Sequence, residues 1–122
     1  MATDLLARPA REPEEVTRLI CERLNAGDAP GVASYYEPEA VLAYPPDRPT
    51  RGRDAIQAVY QHLVDVGVTF TPEVALATVR FEDLALTSTH SADGTGVRVQ
   101  VLRRQPDGSW QRIIDRPEVP PA

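Results

Sequence analysis

Residues 97–117 read VRVQVLRRQPDGSWQRIIDRP, and this stretch decides the architecture. β-Branched and polar residues alternate on both sides of Asp107-Gly108, a dipeptide suited to the two-residue turn of a β-hairpin. Pairing outward from that turn sets Leu102 opposite Ile113, Val101 opposite Ile114 and Gln100 opposite Asp115. A single carboxylate, Asp115, therefore lies deep in the second strand. The same register sets Arg103 opposite Arg112, a like-charge pair that costs stability, and a β-bulge near the turn would relieve it.

Working upstream, Asp93-Gly94 is a second turn signal that places Thr87 opposite Gln100, Thr89 opposite Arg98 and Leu86 opposite Val101, with Thr95-Gly96 able to shift this hairpin. Two sheet faces follow. One carries Leu86, Val99, Val101, Trp110 and Ile114; the other carries Thr87, Thr89, Arg98, Gln100, Gln111 and Asp115, with Ala85, Leu102 and Ile113 among them. The polar face is either the wet side of the sheet, with the apolar face packed on helices, or the lining of a pocket, with the apolar face covered by another subunit. In the second case Asp115 is a desolvated carboxylate among hydrogen-bonding groups, the setting of a general base. In the first it forms a salt bridge to Arg98 or Arg116 that pins the strand.

The remainder of the chain supplies a cover. Residues 1–12 show no sustained period and read as a flexible arm. Pro13 opens a helix with Val16, Leu19, Ile20 and Leu24 along one face, and Gly27 stops it. Asp28 caps a second helix whose apolar residues are Val32, Tyr35 and Tyr36, ended by Glu37-Pro38-Glu39. Residues 41–44 make an edge strand at most, bounded by Pro45-Pro46, and PPDRPTRG is a loop. From Arg53 the period is helical again through Ile56, Val59, Tyr60, Leu63 and Val64, up to Gly67. Strands are then expected over 69–80, 84–91, 97–105 and 109–116. Helices followed by an antiparallel meander define an α+β class. One domain over 13–117 is implied, with 118–122 as a tail.

Composition narrows the function. The chain has 122 residues and a formal charge of −5, with arginine and no lysine on the positive side, which argues against a nucleic-acid surface. A lone cysteine, Cys21, excludes an internal disulfide and a cysteine-cluster metal site. His62 and His90 do not pair at metal-ligand spacing, so no metal and no cofactor are expected. With no apolar run of spanning length and no signal-peptide core in the N-terminal sequence, no membrane association and a cytoplasmic location are expected.

The strings LNAGDAPGVASYYEPEAVL, TRGRDAIQAVYQHL and RRQPDGSWQRIIDRP, in this order, resemble the nuclear transport factor 2-like superfamily, in particular its SnoaL-like branch. The resemblance covers residues 13–117. It implies a cone-shaped α+β roll, three N-terminal helices on a strongly curved, mainly antiparallel sheet, with a pocket for a small-molecule ligand and a homodimer through the outer sheet face. That selects the polar face as the pocket lining. Ketosteroid isomerase, a member, uses two oxyanion donors and an aspartate base, and Ile20, Gln100 and Tyr44 stand at those places. Tyr36 and Tyr60 match tyrosines around that isomerase's pocket, where they act on the ligand or serve as hydrogen-bonded aromatic core. Limonene-epoxide hydrolase and the SnoaL-type cyclases carry an aspartate on the last strand, matched by Asp115; the hydrolase's Arg-x-Asp has no counterpart. The resemblance thus implies cofactor-free acid/base chemistry (cyclisation, isomerisation or hydration) on a small apolar or polycyclic metabolite. Asp115 is the catalytic candidate, and Gln100, Arg98, Tyr44, Tyr36, Tyr60 and Thr87 are binding candidates. The alternative is a non-catalytic dimeric ligand-binding protein.

Overall fold

The computed structural model describes residues 7–71, 73–94 and 96–119, with the side chain of Val119 excepted. Three helices, α1 (Glu15–Asn25), α2 (Ala29–Ala33) and α3 (Arg53–Asp65), pack against one sheet. Its strands are β1 (Tyr36–Leu42), β2 (Thr50–Arg51), β3 (Val74–Ala75), β4 (Val79–Phe81), β5 (Leu84–His90), β6 (Val97–Arg104) and β7 (Trp110–Val119). The strand order is β2-β1-β7-β6-β5-β3, and β4 also pairs with β5. All pairings are antiparallel except β1 with β7, so the chain is α+β as its pattern predicts.

The helices form where the apolar period demands. Val16, Leu19, Ile20 and Leu24 turn one face of α1 into the core, and the carboxylate of Glu15 accepts from the backbone N–H groups of Arg11 and Glu12 in the turn that leads into it. Asp28 caps α2 by accepting from Gly31 N at 2.9 Å. Gly31 is required there, because a Cβ at that position would lie 2.2 Å from Asp28 Oδ2. Helix α2 is shorter than expected: Tyr35 and Tyr36 are not part of it, and Tyr36 opens β1. The reason is tertiary, since Tyr35 O accepts from Arg112 N and the chain joins β7 at once.

Two further expectations are corrected by pairing. The strand expected at 41–44, at most an edge, is β1; it runs through Pro38 and lies between β7 and the two-residue β2, which forms inside the supposed loop. The strand expected over 69–80 is instead β3 and β4, two short segments that pair with different stretches of β5. Of the arm and tail, residues 1–6 and 120–122 lie outside the described residues. Ala10 is buried in the core, and its carbonyl accepts from Trp110 N.

The two long hairpins hold the decisive geometry. Strands β5 and β6 pair without interruption and include Thr87↔Gln100, Thr89↔Arg98 and Leu86↔Val101. From Val99 to Val101 strand β6 keeps the expected register with β7, including Gln100↔Asp115 and Val101↔Ile114, but the register shifts on both sides, to Val97↔Val119 and to Leu102↔Arg112. Ile113 is the extra residue of a β-bulge, which sets Arg103 opposite Gln111 and removes the arginine pair. The bulge also exchanges faces beyond it. Trp110, expected outside, is buried, and Arg112 turns inward with it, while Gln111 and Ile113, expected inside, are half-buried. Leu102, Ala85, Tyr36, Ile56 and Trp110 share the core with α1 and α2, so the polar row of the sheet is the inner one.

Candidate active site

Between α1, α3, residues 69–71 and 73–78, and the inner face of the sheet lies a cavity of about 1120 Å3. Ile20, Leu42, Val59, Leu63, Phe70 and Leu76 give it apolar walls. The sheet contributes the polar residues Thr87, Gln100, Arg112 and Asp115, each buried. An apolar enclosure with a few convergent polar groups is the usual form of a small-molecule site.

Asp115 and Arg112 are held together by the bulge. In a regular strand, residues three apart point to opposite faces; with Ile113 inserted, both side chains enter the cone. They are 2 % and 4 % exposed. Arg112 Nη1 donates to Asp115 Oδ2 at 3.0 Å and to Tyr36 Oη at 3.1 Å, while Nη2 donates to Thr17 Oγ1 on α1 at 2.9 Å. Its guanidinium also lies 5.6 Å from the centroid of the Tyr36 ring. Tyr36 donates to Asp115 Oδ2 at 2.5 Å and meets the Tyr60 hydroxyl at 2.7 Å. Asp115 Oδ1 and Arg112 Nε are buried without a hydrogen-bond partner among the described residues.

Burial sets the proton affinities of this cluster. It pushes the Tyr36 phenol well above its usual value, with the nearby Asp115 carboxylate adding to the effect, and it raises Tyr60 to about 12 for the same two reasons. Burial alone would make Arg112 easier to deprotonate, but Asp115 and the two tyrosines outweigh it and hold its proton more tightly. Cys21, which lines the cavity, has its thiol pushed up by burial and stays protonated.

The expected site residues separate into three groups. Asp115, Gln100, Thr87 and Tyr60 come together at the cavity, where Thr87 Oγ1 donates to Gln100 Oε1 at 2.7 Å. Tyr36 lies behind them, fully buried and in contact with Asp115 but not lining the cavity. Arg98 and Tyr44 line it from farther out. Arg98 is bound by Glu73, with Nε at 2.8 and 2.9 Å from the two carboxylate oxygens, and donates to Pro117 O; Tyr44 is 45 % exposed. The salt bridge considered for Asp115 is thus made by Arg112 and not by Arg98 or Arg116. Arg112 is the residue missed from the sequence, and the sign of it was the Arg103–Arg112 clash. Thr17 and Glu73 were missed as well, because their partners are distant in sequence. Among the described residues no three His, Cys, Asp or Glu side chains gather as metal ligands, and no helix is long and apolar enough to cross a membrane.

An α+β cone enclosing a cavity with a polar floor defines a class, and comparison with known proteins names it. The SnoaL-like domain model matches residues 16–113, and the chain belongs to that family. The match ends just before Asp115. A ketosteroid isomerase-like protein from Erwinia carotovora atroseptica is similar at 22 % identity, with 88 % of this chain and 94 % of that one covered and a TM-score of 0.70. An NTF2-like protein with a cystatin-like fold from Novosphingobium aromaticivorans is 18 % identical, with 84 % and 75 % covered and a TM-score of 0.64. A candidate calcium/calmodulin-dependent protein kinase type II association domain from Thiobacillus denitrificans is also 18 % identical, with 93 % and 97 % covered and a TM-score of 0.72. No curated protein matches the sequence. These identities speak for a shared fold.

Two outcomes test the site. Replacing Arg112 with leucine leaves a buried carboxylate unpaired and is expected to lower the unfolding free energy by about 3–5 kcal/mol. The double variant Arg112→Leu/Asp115→Leu should recover most of that loss; urea unfolding measures both. For pH, a phenol whose proton is held more tightly in the folded chain contributes stability that is complete below the unfolded value near 10. This contribution is lost as pH rises through the folded values, so stability should fall between about pH 10 and 12, and less steeply in Tyr60→Phe.

Proposed function

We propose that the chain is a cofactor-free enzyme of SnoaL-like type that takes a small apolar or polycyclic metabolite into the cone and uses Asp115 to accept a proton from it. One observation carries this reading: at the floor of a largely apolar cavity lies a buried ion pair whose carboxylate keeps one oxygen, Oδ1, unpartnered among the described residues. Arg112 and Tyr36 occupy Oδ2 and fix the carboxyl group, so that Oδ1 is the atom left to take a proton from a ligand O–H or C–H. Gln100, its amide fixed by Thr87, lies beside it to hold the ligand's oxygen through Nε2, and Tyr44 and Arg98 bind the end of the ligand nearer the opening. Proton abstraction opens the way to cyclisation, isomerisation or hydration.

The metabolite that copurifies with the protein, identified by native mass spectrometry, is the substrate to try. Wild type should convert it, and Asp115→Asn, checked for folding by its melting curve, should still bind it but turn it over about 10²–10⁴-fold more slowly. Equal rates would remove Asp115 from the chemistry. A retained metabolite that wild type leaves unchanged would favour the second reading, a ligand-binding protein without catalysis. The observation behind that reading is the ion pair itself, which also ties β7 to α1 through Thr17.

The reading includes a homodimer through the outer sheet face, in a cytoplasmic setting. Val79, Leu86, Val101, Ile114 and Val41 are successive partners across five strands and form one apolar row on that face. Phe81, beside it, is 70 % exposed. A row of this extent is larger than the single apolar residues normally scattered over a monomer. Sedimentation equilibrium should give twice the chain mass for wild type and the chain mass for Ile114→Arg, whose charge would face the partner. A monomeric wild type at micromolar concentration would refute the dimer.

A further inference from the structure

The hydrogen bonds at the floor have a direction, and that direction restricts what can bind. A hydroxyl has one proton to give. Tyr36 gives its proton to Asp115 Oδ2, because the carboxylate, already paired with Arg112, has none to offer. The contact between the two phenols is then settled: Tyr60 must donate to Tyr36. Tyr36 Oη is thereby saturated, accepting from Tyr60 and from Arg112 Nη1. Tyr60 is left with lone pairs and no free proton, and Tyr60 lines the cavity while Tyr36 does not. Asp115 Oδ1, buried and without a partner among the described residues, also only accepts. Thr87 shows the same polarity, with its proton committed to Gln100 Oε1, and Gln100 Nε2 is the donor next to this group.

We infer that the Tyr60–Asp115 corner of the cavity floor is a hydrogen-bond acceptor site, in which Tyr60 acts as a specificity-determining acceptor beside Asp115, and that, with Gln100 Nε2 as the adjacent donor, it selects ligands presenting a hydroxyl, as an alcohol, phenol or enol, which can give and accept a hydrogen bond there, over ligands presenting only a carbonyl or ether, which can accept alone. This rests on the cavity being a small-molecule site and goes further by naming the group that is read. Protonation supports it, since a phenol held to about 12 gives up no proton in the neutral range and keeps the relay pointing from Tyr60 to Asp115. The two tyrosines therefore do not form an oxyanion hole; they point their protons away from the ligand and toward the buried carboxylate.

Three naphthalenes of similar size separate the possibilities: 2-naphthol, which donates and accepts, and 2-methoxynaphthalene and 2-acetonaphthone, which only accept. By isothermal titration calorimetry with the whole chain at neutral pH, 2-naphthol should bind at least tenfold more tightly than either of the others, the effect of one hydrogen bond to a charged acceptor. Tyr60→Phe should shrink that advantage severalfold, lowering the affinity for 2-naphthol much more than that for 2-methoxynaphthalene. Tyr36→Phe frees the Tyr60 proton for the ligand and should improve the binding of 2-acetonaphthone, a change that a merely structural role for the tyrosines would not produce. If 2-acetonaphthone binds wild type as tightly as 2-naphthol, the acceptor assignment is wrong while the cavity reading stands. If none of the three binds, the cavity reading fails and the assignment falls with it.

Discussion

Two oppositely charged side chains three positions apart on a β-strand meet only if the strand breaks its own alternation between them, and β7 does so at Ile113. That single extra residue places Arg112 and Asp115 in one plane of hydrogen bonds instead of on opposite faces. Each ion costs several kcal/mol to take out of water, so neither could be buried here alone. The pair, in turn, fixes its surroundings. Arg112 binds Thr17 of α1, while Asp115 binds Tyr36 at the start of β1, so the first helix, the first strand and the last strand are joined at one point below the cavity. The backbone repeats the same links, with Arg112 N donating to Tyr35 O and Ala43 N to Asp115 O.

The parts of this arrangement legible in the sequence are those set by local chemistry. Asp93-Gly94 marks a turn whose register sets Thr87 opposite Gln100, as the structure has it, whereas the loop at Asp107-Gly108 is one residue longer than expected, with Gln105 N donating to Ser109 O, and the bulge at Ile113 restores the register that sets Gln100 opposite Asp115. The amphipathic faces of α1 and α3 are equally local. What escaped depends on contacts far apart in sequence. Tyr36 reads as helical by its neighbours but is claimed by β7, and the 69–80 segment splits because β5 accepts two partners on one edge. The bulge is an intermediate case. Two arginines opposed across a hairpin announce that the register cannot continue to the turn, but they do not say which residue will be extruded. Without that residue, Arg112 and Trp110 are assigned to the wrong face.

The two arginines on the polar wall and floor of the cavity, Arg98 and Arg112, are each matched by a carboxylate, and this bears on what the cavity can hold. Arg112 is neutralised by Asp115, and Arg98 by Glu73, which also accepts from Thr89. The floor and wall therefore present oriented dipoles with little net charge, and in an apolar enclosure oriented dipoles act strongly over short distances. A field of this kind does not draw ions from solution as an unpaired arginine cluster would. On the proposed reading it would reward a neutral molecule whose body replaces water against Ile20, Val59, Leu63 and Phe70 and whose one polar group is correctly turned at the floor. Affinity would come from the walls, which recognise size and apolarity, and selectivity from the few atoms that the bulge in β7 brings into the cone.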